Sequence, residues 1–218
     1  TLIQHNKRIF NWSENLNMAK VRTDHLLITN IVEKNSRVLD IGCADGKLLH
    51  LLIKNESASV QGIEIEHDKV EACLKKGLSV VEGDANKEIT SFPDNSFDYV
   101  ILSQTLQTVE KPKWILEQIL RVGKKAIVSF PNFGHWYCRY QLALYGKMPI
   151  TKELKLPWYD TKNIHFCTIK DFCELIENMK FITEKKFGIN KSKTIISFPF
   201  NKFFLNFLAS HAVFLISS

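Results

Sequence analysis

Short apolar runs alternate with helix-patterned stretches from residue 37 to residue 130, and this rhythm is the strongest constraint on how the chain folds. RVLDI (37–41), SVQGIEI (59–65), SVVEGD (79–84), FDYVILS (97–103) and KKAIVSF (124–130) read as strands. Between them, Leu48, Leu49, Leu51 and Leu52 mark a helix over 47–54, and a second helix covers 67–76. A third opens at Pro112, carries Trp114, Ile115, Ile119 and Leu120, and stops at Gly123. Proline suits a first turn, where the N–H it lacks would have no partner. Strands separated by helices pair in parallel through crossovers, so the expectation is a doubly wound α/β sheet. Upstream, Leu26, Leu27, Ile31 and Val32 share one helical face within residues 20–34.

The rhythm breaks over residues 131–167, which hold eight aromatic residues and show no clear period. This stretch reads as an insertion after the fifth strand. Regularity returns at Thr168, where Asp171 takes the Glu position of a capping box and Phe172, Leu175, Ile176 and Met179 continue one face. Strands at 181–187 and 211–217 follow. The expected organisation is an extension over 1–19 and one domain over 20–218, a length one core can serve. Met18 is a candidate internal start.

The loop after the first strand is the place to look for a ligand, since open α/β sheets bind beyond the carboxyl ends of their strands. A dinucleotide fingerprint needs glycine at its first, third and sixth positions; here these are Gly42, Ala44 and Lys47, so an NAD enzyme is not expected. No GK[ST] follows, which excludes a P-loop. What stands there is Asp40-Ile-Gly42-Cys43-Ala44-Asp45-Gly46. Small residues admit a ligand close to the backbone, and the helix start behind them favours an anionic group such as a carboxylate. Asp40 and Asp45 suit a cation. A compound with a carboxylate, an amine and a cationic centre fits: S-adenosylmethionine, or its product S-adenosylhomocysteine. Glu64, at the tip of the second strand, suits ribose hydroxyls, and Asp84, at the third, an adenine amine. Ile65 suits packing on the adenine ring, with Ala85 beside Asp84; Ser103 and Gln104, at the fourth tip, face the reacting end.

The balance of charge narrows the partners. The net charge is +6, but 24 of the 29 basic residues are Lys and only five are Arg. Arg is the better bidentate reader of phosphates and bases, and the lysines are dispersed, so no nucleic-acid partner is expected. Five cysteines without a CxxC pair form neither a disulfide framework nor a zinc site, and the expected setting is the reducing cytoplasm. No signal-peptide pattern is read. Residues 195–216 form the one membrane candidate, but Pro199, Asn201, Lys202, Asn206 and His211 interrupt it, so no membrane partner is expected.

Beyond the loop, RVLDIGCADG, FDYVILSQTLQTV, RVGKKAIVSFPNFGHW, GKMPIT and PWYDTKNIHFCTIKDF together make the chain resemble the MetW family of methionine-biosynthesis proteins, within the class I S-adenosylmethionine-dependent methyltransferases. The resemblance covers about residues 20–218, and FPNFGHW and NIHFCTIKDF carry it more specifically than the glycine loop. It implies a Rossmann-like fold with a mostly parallel seven-stranded sheet and an antiparallel last strand. It also implies a role in methionine biosynthesis beside homoserine O-acyltransferase. Ala44 departs from the glycine usual in the family, and Lys162 from a proline.

Two functions remain open. As an enzyme, the chain would move a methyl group to a small-molecule acceptor. A good nucleophile then needs mainly positioning, and an unactivated hydroxyl needs a base. His135 is the first candidate base and His165 the second; each has an equal reading as a hydrogen-bonded histidine that fixes the insertion. As a partner subunit, the chain would bind the cofactor as a signal and present the aromatic insertion. Trp136, Tyr140, Tyr145, Trp158 and Tyr159 are the expected anchors. No metal site is expected.

Overall fold

The first strand, β1 (Arg37–Ile41), is apolar on both faces because both faces are covered, and side chains alternate between them. Leu39 and Ile41 join one core with Ile115, Leu116 and Ile119. Val38 joins a second core with Leu27, Ile28, Leu48 and Leu52. In this computed structural model the described residues are 21–56, 59–151, 154, 156–197 and 202–218. The expected extension over 1–19 and the candidate start Met18 lie outside them.

The chain runs α1 (Thr23–Ile31), β1, α2 (Lys47–Lys54), β2 (Ser59–Glu64), α3 (His67–Leu74), β3 (Ser79–Glu82), α4 (Ala85–Glu88), β4 (Phe97–Ser103), α5 (Pro112–Val122), β5 (Gly123–Pro131) and α6 (Trp136–Tyr145). It ends with α7 (Ile169–Asn178), β6 (Ile182–Ile189), β7 (Ile195–Ser197), α8 (Lys202–Leu208) and β8 (His211–Ser217). Among the described residues the sheet has eight strands in the order β3-β2-β1-β4-β5-β8-β6-β7. β1 to β5 pair in parallel, from Arg37↔Ser59 on one side of β1 to Val38↔Tyr99 on the other. β8 lies antiparallel between β5 and β6. The order reverses between β1 and β4, which opens a crevice at their carboxyl ends.

Four elements were not expected, the first being the single turn α4, too short for a periodic signal. The eighth strand, β7, is a three-residue edge pairing with β6, too short to carry a periodic signal. α6 lies inside the insertion; it buries little besides Cys138, so its apolar residues show no single face. α8 occupies the stretch considered as a membrane candidate, and it is followed by the expected strand HAVFLIS. No helix among the described residues is long and apolar enough to cross a membrane.

The insertion is fastened by Asn132, which is 2% exposed. Its amide donates to the carbonyls of Asn206 and Ala209, both at 2.8 Å, and its oxygen accepts from Gly134 N at 3.0 Å and Ile169 N at 3.2 Å. One side chain thus ties the end of β5 to the start of α7 and the end of α8, with its two N–H groups and two lone pairs all used. Beneath it, Phe130, Phe172 and Phe214 pack with ring centroids 4.7–5.9 Å apart. Asn132→Ala leaves buried backbone groups without partners, and we expect it to lower unfolding free energy by roughly 3–5 kcal/mol in urea titration.

Candidate functional site

The loop after β1 turns through three left-handed residues, Gly42 (φ 74°), Ala44 (φ 50°) and Gly46 (φ 75°). Its shape is held from β2. Gly42 N and Cys43 N donate to Ile63 O at 2.8 and 3.1 Å. Glu64 Oε2 accepts from Ala44 N at 2.8 Å, and its Oε1 accepts from Ile65 N at 2.9 Å and Glu66 N at 3.0 Å. A buried carboxylate anchored by three backbone donors has a fixed direction and still has lone-pair capacity for hydroxyl donors. The loop floor is equally fixed. A Cβ on Gly42 would stand 2.6 Å from Thr105 Oγ1, the hydroxyl that donates to Ile41 O at 3.0 Å.

Above this loop opens a cleft of about 470 Å³. It brings together Gly42, Ala44, Glu64, Ile65, Asp84, Ala85, Ser103 and Gln104 from four strand tips. Ile65 is 64% exposed and gives the wall an apolar plate. Asp84 caps α4: its Oδ1 accepts from Asn86 N and Nδ2, both at 2.9 Å. The remaining expected residues stand outside the wall. Asp40 and Cys43 are buried below the loop, Gly46 starts α2, and Asp45 pairs with Lys47 at 2.7 Å. Asp40 Oδ1 has no hydrogen-bond partner among the described residues, and burial pushes the carboxyl up to about 7 against the pull of Arg22.

Neither candidate base lines the cleft. His135 is buried, and its Nδ1 accepts from Tyr137 N at 3.2 Å as the N-cap of α6. His165 is exposed, with Nε2 3.4 Å from Glu110 O, and it lines a separate apolar pocket of about 140 Å³. Burial pushes the Cys167 thiol up to about 12, so that thiol is not an activated nucleophile. No group of His, Cys, Asp and Glu among the described residues could hold a metal.

Ten residues of the wall escaped the strand-tip reading, among them Arg22, Thr105 and Lys162. Arg22, preceding α1, forks onto the buried Asp24 carboxylate and donates to Ser103 Oγ at 3.2 Å. Thr105 lies two residues past the β4 tip. Lys162 reaches from the insertion to Glu66 Oε1 at 2.9 Å. Thr105, like Ile63, Glu66 and Gly83 beside the tips, was within reach of a local rule, whereas Arg22 and Lys162 arrive through long-range folding.

The strand order, the acidic tips and the cleft define the fold of S-adenosylmethionine-dependent methyltransferases. A solved S-adenosylmethionine-dependent methyltransferase from Thermotoga maritima superposes with a TM-score of 0.64 at 18% identity, covering 88% of this chain and 86% of that one. More narrowly, the family model "Methionine biosynthesis protein MetW" matches residues 22–216, and the chain belongs to the MetW family. The bifunctional methionine biosynthesis protein MetXA/MetW of Rhodopirellula baltica is 32% identical over 175 residues. That match covers 76% of this chain but 28% of the bifunctional protein, so the chain spans well under half of that relative. Demethylmenaquinone methyltransferase from Listeria welshimeri is 24% identical over 192 residues, 78% of this chain and 80% of that enzyme.

Two outcomes follow. Gly42→Ala combines a left-handed φ with the Thr105 clash, and we expect a loss of about 2–3 kcal/mol in urea titration. Asp40 holds a proton in the folded chain from its ordinary value near 3.8 up to about 7, where the unfolded chain has lost it. Its burial therefore costs stability progressively as pH rises through that window, and the cost is full above it. Asp40→Asn should raise the melting temperature over the parent at pH 8, with the difference shrinking at pH 4.

Proposed function

We propose that the cleft binds S-adenosylmethionine or S-adenosylhomocysteine, and that the chain serves methionine biosynthesis as a partner of homoserine O-acyltransferase. The cleft's donor set and floor fit the cofactor. Glu64 suits the ribose hydroxyls, Asp84 an adenine amine, and Ile65 and Ala85 the ring. The turn through Gly42 and Ala44 admits the amino-acid end, above the buried Asp40. When bound, the compound supplies a methyl group on a sulfonium centre.

The partner role is supported by one observation: a relative that joins MetXA and MetW in a single bifunctional methionine biosynthesis protein. The insertion offers a matching surface. Trp158 is 70% and Tyr159 69% exposed, and Trp136, Tyr140, Leu144 and Tyr145 on α6 are exposed too. Aromatic anchors of this kind dominate interface energetics. Cofactor occupancy would regulate the partner through a coupling free energy between cleft and insertion, and the Lys162–Glu66 ion pair physically joins the two.

A second reading, methyl transfer to a small-molecule acceptor, is supported by a further pocket that adjoins the cleft at Arg22 and Gln104. Acceleration would then come from positioning, since His135 and His165 stand away from the cleft.

Calorimetry with S-adenosylhomocysteine should show one site per chain. Glu64→Ala should weaken it by roughly 100-fold, the worth of two hydrogen bonds to a charged group. An affinity untouched by Glu64→Ala would remove the cleft from the account. Homoserine O-acyltransferase from the same source should co-purify with the chain and change in activity. Trp158→Ala/Tyr159→Ala should weaken that association more than tenfold. Equal acyltransferase activity with and without the chain would refute the partner role.

A further inference from the structure

The carboxyl edge of the sheet carries a second cavity, of about 330 Å³, beside the cleft. Topology explains its place. β6 ends at this edge in Ile189, β8 begins there at His211, and the β4 tip contributes Gln104. Gln104 and Arg22 line both spaces, so the two adjoin next to Ser103. Asn190, Lys191 and Lys193, from the turn after β6, complete the outer wall with His211 opposite.

The charge of this lining is one-sided. Its carboxylate, Asp24, is buried, gripped by the Arg22 fork, and accepts from Ser129 Oγ at 3.2 Å. Arg22 and Asp24 therefore largely cancel. Lys191 and Lys193 remain, and neither pairs with a carboxylate among the described residues. Lys191 is steered by α6: its Nζ sits 3.9 Å from the centroid of Tyr137 and 5.9 Å from that of Trp136. A ring face orients an ammonium without taking up its N–H donors as a carboxylate would. The turn itself is rigid, with Asn190 Oδ1 accepting from Thr194 N at 2.9 Å and Ser192 Oγ at 2.7 Å. Lys191, anchored on α6, and Lys193 thus line one side of a concave, partly polar space of a size that suits a small metabolite.

We infer that this cavity binds the anionic group of a small metabolite, held by Lys191 and Lys193, with the rest of the molecule directed along Gln104 toward the cofactor cleft. The inference rests on the cofactor reading only for what lies in the adjoining cleft. Lysine is a point charge without the planar fork of arginine, so the pair accepts a carboxylate or a phosphate alike, and experiment separates the two.

The test is calorimetric titration of the full chain with succinate and, separately, with inorganic phosphate at low ionic strength. At least one should bind at one site per chain, and the tighter of the two identifies the anion class. Lys191→Gln/Lys193→Gln should weaken that binding about tenfold while leaving S-adenosylhomocysteine affinity and melting temperature as in the parent. The remote pair Lys54→Gln/Lys170→Gln removes the same charge and should retain anion binding. No heat with either anion, binding unchanged in Lys191→Gln/Lys193→Gln, or an equal loss in the remote pair would each overturn the inference. Absence of S-adenosylhomocysteine binding in the parent counts against the cofactor reading instead, because the anion titration is read independently.

Discussion

The Glu64 carboxylate is the interaction on which the rest depends. It sits at the tip of β2, buried, and accepts backbone N–H groups from both sides of a chain crossing: Ala44 in the glycine loop, and Ile65 and Glu66 at the entry to α3. Through it the loop is held against β2, α2 is aimed away from the cleft, and Ile65 is presented as an apolar plate. A charged acceptor of three backbone donors is worth more than neutral bonds in the same place. Glu64 lines the cleft with lone-pair capacity to spare. The same group thus shapes the cleft and, in the proposed complex, would supply its most specific contact.

Around that point the structure divides its work. The parallel half, β1 to β5, builds the cleft at the switch point. The antiparallel half, β6 to β8, closes the sheet and places a lysine-bearing turn on the same edge. The insertion bridges them: Asn132 fastens its base, Lys162 reaches Glu66 at the cleft mouth, and Tyr137 carries Lys191. Changes at the cleft therefore have a short physical route to the exposed Trp158 and Tyr159.

Much of this was legible in the sequence because it rests on local rules. Five parallel strands follow from apolar runs and their spacing, and the capping box at Thr168 and Asp171 is present as read. Eight of the residues named at strand tips line one cleft, since a strand's end fixes where its last side chain stands. Other features depend on contacts that no local pattern encodes. α6 is an exposed helix without an apolar stripe, and β7 is a three-residue edge. Arg22 joins the site only because α1 packs beside β4 and β5. His135 attracts attention as chemistry in sequence, whereas its ring is buried and caps a helix.

The most direct measurement of the central claim is a crystal structure of the chain grown with S-adenosylhomocysteine. The ribose hydroxyls should then lie on Glu64 and the adenine between Ile65 and Asp84. Density for the ligand elsewhere, with Glu64 contacting only the backbone groups it already holds, would contradict it.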